Sequence, residues 1–242
     1  MEKIYHKNTI RDLLEFKPKM IDEWRNGDSK IEANIASIKT AEEWRKLKPH
    51  TEKQFIKFYQ NSKNYLKAIA FYNQTARKLR LIEKMLKVIK SLSNVKKIVD
   101  YGCGVLSDSL FLSSLGYKVA AMEIDSKIFK FAEYRLNKYQ MKSLSLTEIK
   151  NEGENCPKCD LILCLDVLEH VYDPYKVLNN FFKTKCKYIL MSIAFKAHNE
   201  DQGGIPYHTN YSIAKIEKYI EENGYKKQKL NVLYPPRLYI RQ

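Results

Sequence analysis

The sequence predicts an α/β fold, a mostly parallel sheet flanked by helices, preceded by a helical N-terminal region. Three observations predict it. Up to Leu92 helix-forming residues dominate, with only Pro18 and Pro49 as prolines. After Asn94 short apolar runs alternate with helix-like segments, the pattern of consecutive βα units. The first apolar run ends in a bend carrying two glycines, Gly102 and Gly104.

Within the N-terminal region, Thr51 to Leu92 places Phe55, Phe58, Tyr59, Ser62, Leu66, Ile69 and Ala70 on one stripe. Leu79, Ile82, Met85, Leu86 and Ile89 form another, which is helical spacing over two segments. A domain boundary falls at the change of pattern, giving residues 1–92 as a helical extension or lid and 93–242 as the catalytic domain. Strands are expected at Lys97 to Tyr101, Lys118 to Glu123, Ser143 to Ile149, Cys159 to Asp166 and Tyr188 to Ser192. The intervening helices are Ser107 to Leu115, Ser126 to Tyr139, Pro174 to Phe182 and Ser212 to Asn223, the last closed by Gly224. The tail around Pro235 and Pro236 supplies two further strands as a hairpin.

The formal net charge is +15, and Lys outnumbers Arg 35 to 8. Glu52 to Lys97 carries twelve basic residues against two acidic, two thirds of the whole excess. A solvated face explains such a run, and a docking surface for an anionic partner is the functional alternative. Phosphate readers favour Arg for its bidentate geometry, so a Lys-dominated excess weighs against nucleic acid. Five cysteines, odd in number and mostly in apolar runs, suit a reducing compartment. With neither a signal-peptide pattern nor an apolar run of spanning length, a cytoplasmic location is expected.

The stretch Ile98 to Asp125, IVDYGCGVLSDSLFLSSLGYKVAAMEID, carries the first chemical signal. Ile98 and Val99 form a buried strand that ends at Asp100. Gly102 and Gly104 let the backbone turn tightly into a helix and approach a ligand without an obstructing Cβ. Nineteen residues after Gly104, Glu123 closes the second strand where a carboxylate can accept from both ribose hydroxyls. A dinucleotide loop would place its third glycine where Ser107 stands, so a pyrophosphate grip is poor.

IVDYGCG, AMEID and CDLILCLDVLEHVYDP together resemble the class I S-adenosylmethionine-dependent methyltransferases, over roughly Lys97 to Tyr225. The group in which the fourth strand runs into Asp-x-x-Glu-His, including quinone-biosynthesis O-methyltransferases, is the most similar. The resemblance implies a Rossmann-like methyltransferase fold with a seven-stranded sheet and a C-terminal β-hairpin, and S-adenosyl-L-methionine as cofactor. It also implies that Asp100, Gly102, Cys103 and Gly104 lie beside the methionine portion and that Glu123 and Ile124 flank the ribose. Asp166 and Val167 would adjoin the sulfonium and the acceptor. The family's loop often carries a third glycine where this chain has Leu106. Glu148, Asn151 and Glu152 are the candidates for adenine contact.

Asp166, Glu169 and His170 converge if a helix begins near Val167. Two carboxylates and an imidazole so placed can hold a divalent cation, as the matching positions do in quinone-biosynthesis O-methyltransferases, or the imidazole can act directly as base. Capping and packing of the loop is the alternative, and no metal ligand is assigned. His208, on a loop expected at the carboxyl edge of the sheet, has an ordinary pKa of about 6.5 that suits deprotonation of an acceptor. Packing within the loop would explain it equally. His198 and Tyr207 are lesser candidates from the same loop. Cys156-Pro157-Lys158-Cys159 has the spacing of half a zinc site, and no second pair completes it.

The catalytic residues expected are therefore His208, His170 and Asp166. The N-terminal helices would close over the site, with Tyr59, Tyr65, Phe71 and Tyr72 lining an acceptor pocket or packing in the core. The favoured activity is transfer of a methyl group to an oxygen or nitrogen of a small metabolite or natural-product intermediate. RNA or protein docked on the basic helices is one alternative acceptor, and a catalytically idle cofactor-binding scaffold is another reading.

Overall fold

The computed structural model describes residues 30–73, 75–193, 205–230 and 236–242. Four helices precede the sheet: α1 (Lys30–Leu47), α2 (Glu52–Asn61), α3 (Tyr65–Tyr72) and α4 (Ala76–Ser91). Thr51 starts α2 with a capping box, accepting from the Gln54 backbone N–H while the Gln54 side chain reaches back to the Thr51 backbone. The stripe expected to run unbroken from Phe55 to Ala70 is split between α2 and α3. Asn61-Ser62-Lys63-Asn64 is a run of turn-forming residues, and Glu43 of α1 binds it by accepting from the Ser62 hydroxyl and the Asn64 amide. The region from Thr51 to Leu92 thus holds three helices rather than two helical segments.

The sheet that follows has strand order β3-β2-β1-β4-β5-β7-β6, with β1 (Lys97–Tyr101), β2 (Lys118–Ile124), β3 (Leu144–Ile149), β4 (Leu161–Leu165), β5 (Tyr188–Ser192), β6 (Tyr225–Gln228) and β7 (Arg237–Arg241). The first five are mutually parallel; β7 is antiparallel to both β5 and β6, closing the sheet with the expected hairpin. Helices α5 (Ser107–Ser114), α6 (Lys127–Tyr139), α7 (Pro174–Lys183) and α8 (Ile213–Glu222) lie between strands. Ser126, Asp173 and Ser212 cap three of them by accepting from backbone N–H groups of the first turn.

Alternate residues of each strand feed opposite faces of the sheet. Ile98, Leu161 and Leu163 pack with Leu110, Leu112 and the apolar face of α4, namely Ile82, Met85 and Ile89. Val99, Tyr101, Ile162 and Cys164 pack on the other side with Phe181, Ile216 and Ile220. Each such fully buried aliphatic side chain contributes roughly 1.5–3 kcal/mol. The last N-terminal helix is therefore a partner of the sheet's own core.

Connections from β1 leave toward β2 on one side and the chain returns through β4 on the other. The carboxyl ends of β1 and β4 consequently frame a crevice, the place where open α/β sheets receive ligands.

Candidate active site

Two adjoining cavities open at that crevice, of about 110 Å3 and about 330 Å3. Tyr65, Ile69, Gly102, Gly104, Asp166 and His170 line both. The smaller contains Glu123, Ile124, Ile128 and Val167, and the larger contains Asp100, Cys103, Lys78, Asp108, Glu169 and His208. Asp100, Gly102, Cys103, Gly104, Glu123, Ile124, Asp166, Val167, His170 and His208, expected from the sequence as cofactor contacts or catalytic groups, thus each face one cavity or both. Of the three adenine candidates, Glu152 lines the smaller cavity. Glu148 is exposed on β3, and the Asn151 side chain accepts from Gly153 N–H.

The floor between the cavities is the bend after β1. Gly102 and Gly104 adopt φ +70° and +55°, the left-handed region that favours glycine. Gly102 N–H and Cys103 N–H donate to the Met122 carbonyl, at 2.8 and 3.0 Å, pinning the bend to β2. Leu106, where the family pattern has a third glycine, also lies in the left-handed region at φ +67°. Its side chain is fully buried among Leu110 and Leu112, so it strains the backbone without intruding on the cavities. The Arg135 guanidinium, itself buried, donates to the Val105 carbonyl and the Ser107 hydroxyl and holds this turn from behind.

Glu123 accepts from Gly104 N–H at 2.7 Å and from Ile124 N–H at 3.0 Å. These donors orient the carboxylate in the smaller cavity, while burial pushes its pKa up to about 7. Asp100 accepts from the Ser109 hydroxyl at 2.5 Å, and burial, with the nearby Asp108 charge, raises it to about 7 as well. A cation beside either carboxylate would favour its ionised form.

Asp166 leaves β4 in the left-handed region, φ +56°. Its two oxygens accept from Ser192 Oγ and Tyr72 Oη, each at 2.6 Å. The carboxylate is therefore clamped in place between β5 and α3. Burial and the Asp166 charge push the Tyr72 phenol well up, so it stays a donor.

A turn of 3-10 helix, Leu168–His170, follows and turns Glu169 and His170 toward His208. The two imidazoles meet edge to face with centroids 4.5 Å apart. One ligand atom of each of Glu169, His170 and His208 lies within 4.8 Å of the others, a set able to hold a divalent ion. His208 is positioned by its backbone N–H to the Ile205 carbonyl, and the Glu169 carbonyl accepts from Thr209 N–H at 2.7 Å. His198 lies outside the described residues.

Sequence reasoning missed one pair. Lys78 of α4 donates to Asp108 of α5 at 2.7 Å, both side chains buried at the wall of the larger cavity. Burial would lower the Lys78 ammonium, but the Asp108 carboxylate, supported by Asp166 and Asp100, outweighs it and holds the pKa above its ordinary value. Asp108 Oδ1 is buried without a hydrogen-bond partner. A basic and an acidic residue thirty positions apart carry no local signal of such a contact.

Aromatic side chains roof the crevice. Tyr59, Tyr65, Phe71 and Tyr72, from α2 and α3, line the cavities with Tyr207. Cys156 and Cys159 lie away from the crevice, Cys159 Sγ being 3.5 Å from Cys186 Sγ. Among the described residues no helix is long and apolar enough to cross a membrane.

A family model described as a methyltransferase domain matches residues 72–226. Over 88 residues, 34% of this chain, the sequence is 31% identical to the ubiquinone biosynthesis O-methyltransferase of Albidiferax ferrireducens; the match spans about a third of that relative's length. The fold is similar to magnesium protoporphyrin IX methyltransferase from Synechocystis PCC 6803 with bound SAM, at TM-score 0.56 and 16% identity over 100% of both chains. It is also similar to phosphoethanolamine N-methyltransferase 2 of Haemonchus contortus in complex with S-adenosyl-L-methionine, at TM-score 0.60 and 13% identity over 73% of this chain and 46% of that one.

Proposed function

From the premise that the chain belongs to the methyltransferase-domain family, we propose that it transfers a methyl group from S-adenosylmethionine to an oxygen or nitrogen of a small metabolite. The observation that carries this reading is the pair of joined cavities over the Gly102 bend, with Glu123 at one end and the Lys78–Asp108 pair at the other. An adenosyl group with an amino-acid tail needs those features: a carboxylate for ribose hydroxyls, a continuous passage between the two ends, and opposite charges for a zwitterion. Glu123 with Ile124 and Ile128 would hold the nucleoside. Gly102, Cys103 and Asp100 would run beside the methionine portion toward Lys78 and Asp108.

When bound, S-adenosylmethionine supplies an activated methyl on a sulfonium, whose electron pair returns to sulfur as the thioether forms. The protein's part is geometric: orient the acceptor, exclude water and remove a proton. Asp166, fixed by Tyr72 and Ser192, supplies a negative charge beside the sulfonium. His170 and His208 face the larger cavity, where an acceptor hydroxyl or amine would lose its proton.

The acceptor is small, since it shares the larger cavity with the methionine portion of the cofactor. The larger cavity, at about 330 Å3, falls at the lower end of small-ligand pockets, and Tyr65, Phe71, Tyr72 and Tyr207 enclose it. Helices α2 and α3 serve as the roof of the catalytic domain, whose core also takes in α4. Five cysteines, odd in number and mostly in apolar runs, support a reducing compartment, the cytoplasm. Titration calorimetry with S-adenosylhomocysteine tests the reading: one molecule should bind per chain, and replacing Glu123 by Ala should weaken it more than replacing His208. No binding at millimolar ligand would overturn it.

A further inference from the structure

The reach of α2 into the catalytic crevice carries one consequence beyond the binding of cofactor. Tyr59 Oη lies 2.9 Å from the Tyr207 carbonyl oxygen and 3.1 Å from His170 Nδ1. A phenol has one hydrogen and a carbonyl has none, so only Tyr59 can supply the proton between these two oxygens. The phenol oxygen is left with lone pairs alone toward His170. For that contact to be attractive, Nδ1 must carry the hydrogen. The reverse arrangement, with the phenol hydrogen on Nδ1, would set two oxygen lone pairs against each other at 2.9 Å.

We propose that Tyr59 is a positioning residue that fixes His170 as the Nδ1–H tautomer, leaving Nε2 as the lone-pair nitrogen that receives the acceptor's proton. The inference rests on the methyltransferase reading for the identity of that proton, but not for the tautomer. His170 lines both cavities, and among the described residues no hydrogen bond engages Nε2. The tautomer matters because it decides which ring nitrogen offers a lone pair to the cavities. Tyr59 is itself buried and braced by Phe58, Tyr65 and Trp44, which keeps its hydroxyl from turning away. In the step served, the acceptor's O–H or N–H proton passes to Nε2 as the heteroatom takes the methyl group. The resulting imidazolium keeps its Nδ1–H bond to Tyr59.

This assignment makes the roof helix part of the chemistry. A pattern of aromatic residues in α2 reads as packing, yet one of its hydroxyls sets which nitrogen of a histidine 111 residues away is basic.

The test is a two-bond 1H–15N correlation spectrum of the full-length 15N-labelled chain near neutral pH, with His170 assigned by its loss in His170→Gln. The expected wild-type pattern has a protonated Nδ1 and a bare Nε2, their nitrogen resonances well separated. In Tyr59→Phe, which keeps the ring but removes the hydroxyl, the two resonances should move toward a common average as the tautomers interconvert. A wild-type pattern with the proton on Nε2 overturns the proposal, whether or not the variant folds. So does a folded Tyr59→Phe chain that retains the wild-type pattern. The spectrum needs neither cofactor nor acceptor. S-adenosylhomocysteine binding to the wild type is measured separately, so a failure of the methyltransferase reading is told apart from a failure of the tautomer assignment.

Discussion

A Cβ built on Gly102 would stand 2.6 Å from Cγ2 of Val167 and 2.7 Å from its Cγ1. Val167, the second residue after β4, thus occupies the space that Gly102 leaves open, and the two chain segments are locked together at the floor of the crevice. Gly104 is different. Its φ is also positive, but the nearest atom to an added Cβ is Ile69 Cγ2 at 3.7 Å, an ordinary contact.

Alanine at the two positions should therefore separate crowding from backbone strain. Gly102→Ala is expected to cost about 2–4 kcal/mol, combining overpacking with a left-handed backbone, and Gly104→Ala only about 1 kcal/mol. Adding Val167→Ala to the first variant should recover part of its loss while leaving the strain. Urea denaturation at constant m-value measures all three, and equal costs at the two glycines would contradict the packing argument.

The raised carboxylates set a pH dependence for the ligand-free chain. Burial lifts Glu123 from an ordinary 4.5 to about 7 and Asp100 from 3.8 to about 7. A folded-state pKa above the unfolded one means that the folded chain holds more protons in this window. The stability contribution of these groups is then present below the unfolded values and is lost as pH rises toward about 7. Thermal melts should show that decline, and Glu123→Gln should flatten it. A melt curve in the variant as steep as in the wild type would contradict the assignment.

The same two groups predict proton release on cofactor binding. On the proposed placement, the methionine ammonium near Asp100 and ribose hydroxyls donating to Glu123 would favour the ionised carboxylates, so their pKa values would fall. Near pH 7, S-adenosylmethionine binding should release protons, read as a calorimetric enthalpy that varies with the ionisation enthalpy of the buffer. Proton uptake, or no buffer dependence, would contradict the placement of the ligand.

The Lys78–Asp108 pair is a buried charge pair. Lys78→Met leaves Asp108 buried and unpaired, which is expected to cost about 3–5 kcal/mol, whereas replacing both by apolar residues should be close to neutral for folding. If the pair also receives the amino-acid end of the cofactor, the double variant should fold yet bind S-adenosylhomocysteine poorly. Full affinity in a folded double variant would remove this pair from the binding site.

The clamp on Asp166 is open to a milder change. Tyr72→Phe removes one hydrogen bond to a carboxylate, worth about 1.5–3 kcal/mol, without emptying the aromatic roof. Denaturation should register that loss, and a stability equal to wild type would show that the contact at 2.6 Å contributes nothing.

Local chemistry made much of this fold legible from the chain alone. The strand at Lys97–Tyr101, the two-glycine bend, the acidic residue closing β2 and the caps Ser126, Asp173 and Ser212 all act within a few residues, where dihedral preference and alternation decide the outcome. The run from Asp166 to His170 was readable only in part: a short helix follows Val167 as expected, but Glu169 and His170 gather with His208, while Tyr72 and Ser192 hold Asp166. What only the tertiary structure decided is which distant groups meet. The break at Ser62 depends on Glu43, the clamp on Asp166 joins α3 to β5, Lys78 meets Asp108, and Tyr59 meets His170. Such contacts exist because the helices preceding β1 pack over the carboxyl ends of the strands. Their energy comes from burial and from pairing across the fold, and neither leaves a periodic trace in the residues that make them.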